Sequence, residues 1–344
     1  MNDVLDEVLA VLGGDEAWVV GGALRDELLG RPVVDVDIAC REPEHVARLH
    51  ARRVGGAPFP LSERHGAWRV VLGDGRTVDF TPLPDGIQRD LASRDFTLNA
   101  MARPASGGEL VDPFDGLADI AARTIRAVSP DVFTSDPLRL LRAVRLEDEL
   151  GFRCDEGTAA LIREHATLAL RPAGERILGE LERLSVTAFR RLDELGLLAV
   201  LGGSAALLDR ADRVDSSDYR LVCVFGSDLG RFPISRWLER YERTLTRAAA
   251  PADASPRALH RFRRATEPWA LDALAFVGAD EMAGAVEEAR RNEPSEPLLR
   301  GDELGLRPGP EIGRILDLIA EERAAGTIQT KEEAISFVRE QVRS

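Results

Sequence analysis

Two kinds of hydrophobic pattern divide the chain. In the first part, short stretches of alternating or continuous apolar residues lie between stretches with helical spacing, and they predict strands at 18–20, 33–39, 68–72 and 77–80. The helical stretches between them lie at 1–12, 23–29 and 42–53. From about residue 136 onward, helical spacing dominates to the C terminus. The pattern therefore predicts an α+β protein with a small mixed sheet near the N terminus and an all-α remainder.

The strand at 33–39 carries two acidic residues on one face. Three aliphatic residues alternate with Asp35 and Asp37, and period-two geometry places the two carboxylates side by side, roughly 7 Å apart. Magnesium prefers carboxylate oxygens and is usually held by one or two of them together with phosphates. The pair therefore indicates a divalent-metal site. The alternative is an amphipathic edge strand whose solvent face carries two aspartates.

A diglycine turn precedes this strand. Gly21 and Gly22 follow a short apolar strand and open a helix that carries Arg25. Glycines let the backbone approach a ligand closely, and a helix N terminus offers free N–H groups to an anion. The Arg25 guanidinium could hold a phosphate with two hydrogen bonds. An ordinary turn between strand and helix, which needs glycine for its dihedral angles, is the alternative.

Together, the two features indicate nucleotidyl transfer. A phosphate-binding turn beside a pair of carboxylates suits a reaction in which two metal ions hold the attacking hydroxyl and the triphosphate. A third carboxylate often assists, and Asp79 is the candidate because its strand has the same alternation. A solvent-facing strand residue is the alternative for Asp79.

A second polar pattern begins at residue 136. Asp136, Arg139, Arg142 and Arg145 recur every three residues, and on a helix the first three would lie within about 120° of one face. An aspartate and an arginine on one face offer an acceptor and donors to a nucleobase edge. The alternative is a surface Asp–Arg pair worth about a few tenths of a kcal/mol.

Composition limits the chemistry that is available. The net charge of −14 argues against bulk attraction to nucleic acid but leaves room for a local basic groove. Lys331 is the only lysine among 45 basic residues, so contacts to phosphate fall to arginine, backbone N–H groups or metal. No apolar stretch approaches about 18 residues, so we expect no membrane span. Three dispersed cysteines and an acidic N terminus predict a cytoplasmic protein.

Four blocks then carry a resemblance to a known family. The segment G-G-A-L-R-D-E-L-L-G-R-P-V-V-D-V-D-I-A at 21–39 resembles the signature of class II tRNA nucleotidyltransferases and bacterial poly(A) polymerases, within the DNA polymerase β superfamily. D-L-A-S-R-D-F-T-L-N-A-M-A at 90–102, D-P-F-D-G-L-A-D-I at 112–120 and D-P-L-R-L-L-R-A-V-R at 136–145 are similar to further family blocks, in the same order. The resemblance implies a nucleotidyltransferase head at 1–130, a helical neck at 131–200 and a helical body and tail at 201–344.

The resemblance also implies roles for individual residues. Asp35 and Asp37 would hold two Mg²⁺ ions, and Asp136 and Arg139 would read the base of the incoming CTP or ATP. The nucleotide-binding residues that it implies are Gly21, Gly22, Arg25, Arg94, Asp136, Arg139, Arg142 and Arg145. Ser135 departs from the family, which has a glutamate there. A flexible loop that matters for adding the final A is expected at 57–69.

The implied activity is template-independent addition of C, C and A to the 3′ end of tRNA from CTP and ATP, with release of pyrophosphate. The helical remainder would bind the tRNA. Three alternatives stay open: a poly(A) polymerase, an enzyme that adds only C-C or only A, and a catalytically inactive RNA-binding relative. The oligomeric state does not follow from the sequence.

Overall fold

Six strands form one mixed sheet within residues 2–12, 14–62, 66–307 and 309–343, which the computed structural model describes. In chain order they are β1 (Ala17–Val20), β2 (Asp35–Cys40), β3 (Ala57–Ser62), β4 (Ala67–Val71), β5 (Thr77–Pro82) and β6 (Ala102–Pro104). The sheet order is β3-β4-β5-β2-β1-β6, with β2 and β5 parallel and the other neighbours antiparallel. The predicted mixed sheet is confirmed.

Strand β2 lies inside the sheet, between β1 and β5, so the edge-strand alternative is wrong. Val36 and Ile38 are buried in the core under the sheet, whereas Asp35 is exposed. This burial agrees with the alternation that predicted the strand. The hydrophobic core beneath β2 also contains residues of α1 (Asn2–Leu12) and α3 (Pro43–Val54).

The segment 57–69, where a flexible loop was expected, instead supplies β3 and the start of β4. Pro58 and Pro60 conceal β3 from pattern reasoning because proline cannot donate to a strand ladder. Both are tolerated here since β3 is an edge strand. Residues 63–65 lie outside the described part of the chain.

The other helices of the N-terminal region follow the sheet or connect its strands. They are α2 (Gly22–Leu28), α4 (Ile87–Ala92), α5 (Gly116–Ala121), α6 (Val132–Ser135), α7 (Arg139–Leu150), α8 (Glu156–His165), α9 (Gly174–Leu181), α10 (Val186–Glu194) and α11 (Leu197–Leu201). Two short strands, β7 (Thr124–Ile125) and β8 (Arg153–Cys154), pair in parallel.

Asp136 does not belong to a helix, which corrects the prediction of one helical face from Asp136 to Arg145. Its backbone is extended (φ −141°, ψ 98°), and α7 begins only at Arg139. Pro137 explains this because a residue before proline is pushed out of the helical region.

The chain divides into two compact units between Leu201 and Gly202. The described residues of the second unit contain helices and no strands, which confirms the all-α remainder. These helices are α12 (Ser217–Phe225), α13 (Arg236–Arg247), α14 (Pro256–Thr266), α15 (Ala270–Val277), α16 (Ala283–Arg291), α17 (Pro310–Ala324) and α18 (Lys331–Arg343). None of the described helices is long and apolar enough to span a membrane. The boundaries near 130 and 200 and the cytoplasmic location stay predictions.

Candidate active site

The parallel pairing of β2 with β5 brings three carboxylates to one region of the sheet. Asp35 lies opposite Thr77, and Asp37 lies opposite Asp79. The Thr77 hydroxyl donates a hydrogen bond to Asp35 Oδ1 at 2.5 Å. Since side chains two residues apart share a face, Asp35, Asp37 and Asp79 project from the same side of the sheet.

Asp37 lies among the other charged side chains of this face of the sheet. Burial raises the pKa of Asp37 to about 6, and the carboxylates of Asp79 and Asp35 act in the same direction, whereas Arg94 and Arg142 oppose the rise. The two arginines therefore do not fully compensate the negative charge of an ionised Asp37, and an added cation would stabilise it. Because magnesium binds carboxylate oxygens, the chemistry of Asp35 and Asp37 fits a divalent cation.

Asp79 has a partner of its own. Arg69 donates from Nε and Nη2 to the two carboxylate oxygens of Asp79, each at 2.7 Å. Within the described residues there is no cluster of three or more side chains arranged to hold a metal. The fit to a cation therefore rests on Asp35 and Asp37, and a catalytic role for Asp79 stays a prediction.

Gly21 lies where three parts of the site meet. Its φ is +71°, a value that favours glycine, and a Cβ built there would lie 2.7 Å from Arg94 Nη1 and 3.0 Å from Asp37 Oδ2. The turn thus lets the Arg94 guanidinium and the Asp37 carboxylate approach the backbone. A glycine that makes room for a ligand is predicted from the sequence, and in the structure Gly21 makes room for these two side chains.

Arg25 is turned inward rather than displayed to a phosphate. Its Nε and Nη2 donate to the two oxygens of Asp26, each at 2.9 Å, and its Nη1 donates to Asn99 Oδ1 at 2.9 Å. The guanidinium is largely buried and lies beside Gly22, whose Cβ would be 3.4 Å from Arg25 Nη2. A direct phosphate contact by Arg25 stays a prediction, and the observed contacts fix the start of α2.

Asp95 links this turn to α7 and was not among the predicted site residues. It is buried and accepts hydrogen bonds from Asn99 Nδ2 at 3.0 Å and from the Phe96 N–H at 2.8 Å. Arg142 Nε lies 2.9 Å from Asp95 Oδ2. Burial alone would raise the pKa of Asp95, but Arg142 and these hydrogen bonds hold it below its ordinary value. The signal in the sequence was an aspartate and an asparagine inside the otherwise apolar block at 95–102.

The polar residues around α7 have two kinds of partner. Arg139 contacts the segment that carries Arg94, whereas Arg145 is held in ion pairs with glutamates. Arg139 donates to the backbone oxygens of Ser93 at 2.8 Å and Arg94 at 3.4 Å, so it ties the start of α7 to the segment that carries Arg94. Burial lowers the pKa of Arg139. Asp136 accepts from Arg176 Nη2 at 3.1 Å and is partly exposed just ahead of Arg139.

Arg145 has the second kind of partner. Its Nε lies 2.7 Å from Glu180 Oε2 and its Nη1 lies 3.0 Å from Glu149 Oε1, and its side chain is mostly buried. Gly21 lies beside both Asp37 and Arg94, and Arg139 contacts the backbone oxygen of Arg94. Arg145 instead forms ion pairs with glutamates of α7 and α9. A nucleotide contact by Arg145 stays a prediction.

Proteins similar to this chain include tRNA nucleotidyltransferases. Residues 17–84 and 74–126 match the family described as the Poly A polymerase head domain. The CC-adding tRNA nucleotidyltransferase of Geobacter sulfurreducens is 33% identical, over 96% of this chain and 93% of that protein. The A-adding tRNA nucleotidyltransferase of Deinococcus radiodurans is also 33% identical, over 94% of each chain.

A solved structure of a CCA-adding enzyme with CTP shares the fold. Its TM-score is 0.82 at 22% identity, over 100% of this chain and 95% of that one. The likeness therefore covers both the sheet and the helical remainder of this chain. The chain therefore belongs to the class II tRNA nucleotidyltransferases of the DNA polymerase β superfamily and is a nucleotidyltransferase enzyme.

Proposed function

We propose that this chain completes the 3′ end of tRNA by adding C, C and A from CTP and ATP. The observation that carries the proposal is the meeting of Gly21, Asp37 and Arg94 at one point of the sheet face. A metal-bound triphosphate needs backbone that can approach it closely, a carboxylate for the metal and a cation for the phosphates. Gly21, Asp37 and Arg94 offer these three features.

In the proposed reaction, the 3′ oxygen of the RNA forms a bond to the α-phosphorus of the nucleotide. The bond from the α-phosphorus to the bridging oxygen breaks and pyrophosphate leaves, while the proton of the attacking hydroxyl passes to solvent water. Asp35 and Asp37 would hold two Mg²⁺ ions. When bound, these ions activate the hydroxyl and stabilise the charge on the phosphates. Arg94, beside Asp37, would orient the nucleotide.

Base selection would fall to the polar residues ahead of and within α7. Asp136 offers carboxylate oxygens, and the Arg139 guanidinium is fixed by the backbone oxygens of Ser93 and Arg94. A planar donor held in place can distinguish base edges by hydrogen bonding. Arg142, paired with Asp95, would support this arrangement from the next turn of the helix.

An enzyme that adds only C-C is the second candidate. The Geobacter sulfurreducens relative, which matches nearly the whole chain, is CC-adding. The Deinococcus radiodurans relative, of equal identity, is A-adding. Identity alone therefore does not select between the two specificities.

The test uses the full chain with Mg²⁺ and three tRNA transcripts: one lacking CCA, one ending in C-C and one with complete CCA. CTP and ATP are supplied separately and together, and products are separated at single-nucleotide resolution. Stepwise addition that stops at CCA supports the proposal. Products that stop at C-C support the second candidate, and long A tails indicate a poly(A) polymerase. Binding without any addition would leave only an inactive RNA-binding relative, and chelation by EDTA should abolish every product.

A further inference from the structure

One face of α13 carries four arginines in a row. Arg236, Arg240, Arg243 and Arg247 are separated by four, three and four positions and are all exposed. At 100° per residue they fall within about 60° of arc, and they extend about 16 Å along the helix axis. We refer to these four residues as the arginine stripe.

The arginines of the stripe are not paired with carboxylates of the described residues, whereas several other arginines of the same unit are. Arg257 lies 2.6 Å from a Glu322 oxygen, and Arg264 lies 2.6 Å from an Asp317 oxygen. In contrast, no carboxylate among the described residues lies within 4.0 Å of a guanidinium nitrogen of the stripe. Like charges one helical turn apart destabilise a helix. The repulsion between these arginines destabilises α13 in the free protein. Binding of an anionic partner would relieve that repulsion.

The stripe continues into a groove between α13 and α14. The groove has a volume of about 590 Å³ and is lined by three stripe arginines, by Arg261 of α14, and by alanines, two threonines, Pro251 and Phe262. Arg261 is itself paired with Glu321, at 2.6 Å, so the free positive charge of the groove comes from the stripe. No aspartate or glutamate is among the described residues that line it. In a chain of net charge −14, this is a local concentration of positive charge.

An exposed aromatic ring stands beside the stripe. Trp237 is 50% exposed, and its ring stacks on Tyr241 at 5.2 Å and meets Trp269 edge-on at 5.8 Å. These two rings pack against the indole, and half of the Trp237 surface stays accessible to solvent. An aromatic side chain next to arginines is typical of surfaces that bind RNA, where it stacks on a base.

We propose that the arginine stripe and Trp237 form a contact surface for the sugar–phosphate backbone of the tRNA substrate. This inference rests on the proposed function and deepens it, since it assigns RNA binding to named residues of the second unit. Guanidinium groups bind phosphate with two hydrogen bonds, and a row of them can follow a backbone. An acidic protein partner fits less well because it would leave the open indole without a stacking partner.

The test is a triple variant, Arg240→Gln, Arg243→Gln and Arg247→Gln, in the full chain. The matched control is Arg48→Gln, Arg231→Gln and Arg314→Gln, which removes equal charge from exposed arginines paired within one turn of chain. Binding of a tRNA transcript lacking CCA is measured by filter binding between about 50 and 200 mM salt. KM for tRNA, KM for CTP and kcat at saturating tRNA are measured in parallel.

We expect the triple variant to bind tRNA about 10- to 100-fold more weakly, with the slope of log affinity against log salt reduced by about 2 to 3. KM for tRNA should rise, whereas KM for CTP and kcat at saturating tRNA should match the control. Trp237→Ala should weaken binding without changing the salt slope, because stacking releases no counterions. If the triple variant binds tRNA with the same affinity as the control variant, the inference is wrong. That result is also the one expected if the stripe binds another protein instead of tRNA.

Two further measurements separate the loss of RNA binding from misfolding of the variant and from failure of the proposed function. If circular dichroism shows that the triple variant is not folded, Arg243→Gln alone is used, with an expected slope reduction of about 1. If the wild-type chain adds no nucleotide to any transcript, the proposed function fails. The binding and salt measurements still decide the stripe in that case, since they do not depend on turnover.

Discussion

Gly21→Ala is the sharpest test of the site because one methyl group would meet two of its side chains. The backbone at Gly21 has φ +71° and ψ −139°, which L-residues rarely adopt. Forcing a side chain into such a conformation costs on the order of 1–3 kcal/mol. The new Cβ would also lie 2.7 Å from Arg94 Nη1 and 3.0 Å from Asp37 Oδ2, closer than such contacts tolerate.

The two consequences differ in kind. The backbone strain should lower the free energy of unfolding by about 1–3 kcal/mol, as measured by urea titration. The contacts should push Arg94 and the Asp37 carboxylate away from their positions. Because a displacement of about 1 Å at a reacting centre can cost about 100-fold in rate, we expect kcat/KM for CTP to fall by about that factor.

Gly55→Ala provides the matched control. Gly55 also has φ +71°, in the left-handed conformation that ends α3, but a Cβ there would meet no atom within 4 Å. We expect it to lose about 1–2 kcal/mol of stability and to keep wild-type activity. If Gly21→Ala retained wild-type kcat/KM at a stability loss like that of Gly55→Ala, the close approach to Asp37 and Arg94 would have no role in catalysis.

Four further changes test other parts of the argument. Asp37→Ala should reduce CMP incorporation by at least about 100-fold with an unchanged circular dichroism spectrum, since it removes a proposed metal ligand from an open face; retained activity would contradict the two-metal assignment. Arg139→Ala should change the ratio of kcat/KM for CTP and ATP by more than about tenfold while tRNA affinity changes little, and an unaltered ratio would make this residue structural. Asp79→Asn should lower incorporation by at least about tenfold if the carboxylate assists the metal site, whereas full activity would limit its role to the ion pair with Arg69. Burial lowers the pKa of His50, so its contribution to folding is fully present above the ordinary value of 6.5 and declines as the pH falls below it. Urea unfolding at about pH 7.5 and about pH 5.5 should show that decline in the wild type and a smaller one in His50→Leu.

Strand β2, which carries Asp35 and Asp37, could be predicted because its signal is local. Alternation of Asp35 and Asp37 with apolar residues depends only on the period of a β-strand, and the structure buries Val36 and Ile38 as that period requires. The four blocks also identified the family, which the relatives confirm. Neither inference needed knowledge of which strands pair.

Two expectations are wrong, and the sequence carried a contrary signal for the first of them but not for the second. Asp136 was placed on a helix by its spacing from the arginines, although Pro137 already favours an extended residue before it. The loop expected at 57–69 came from the family resemblance, and Pro58 and Pro60 give no sign of a strand there. Only the sheet order shows that β3 is an edge strand, where prolines fit.

The choice of ion-pair partners could not be predicted, because it is decided by neighbours far apart in the chain. Asp79 meets Arg69 only after β4 pairs with β5, and Arg145 meets Glu180 only after α7 packs on α9. The surroundings of the arginine stripe depend on the fold in the same way. Only the folded chain shows that, among the described residues, no carboxylate lies within 4.0 Å of these four guanidinium groups, which stay exposed along one face of α13.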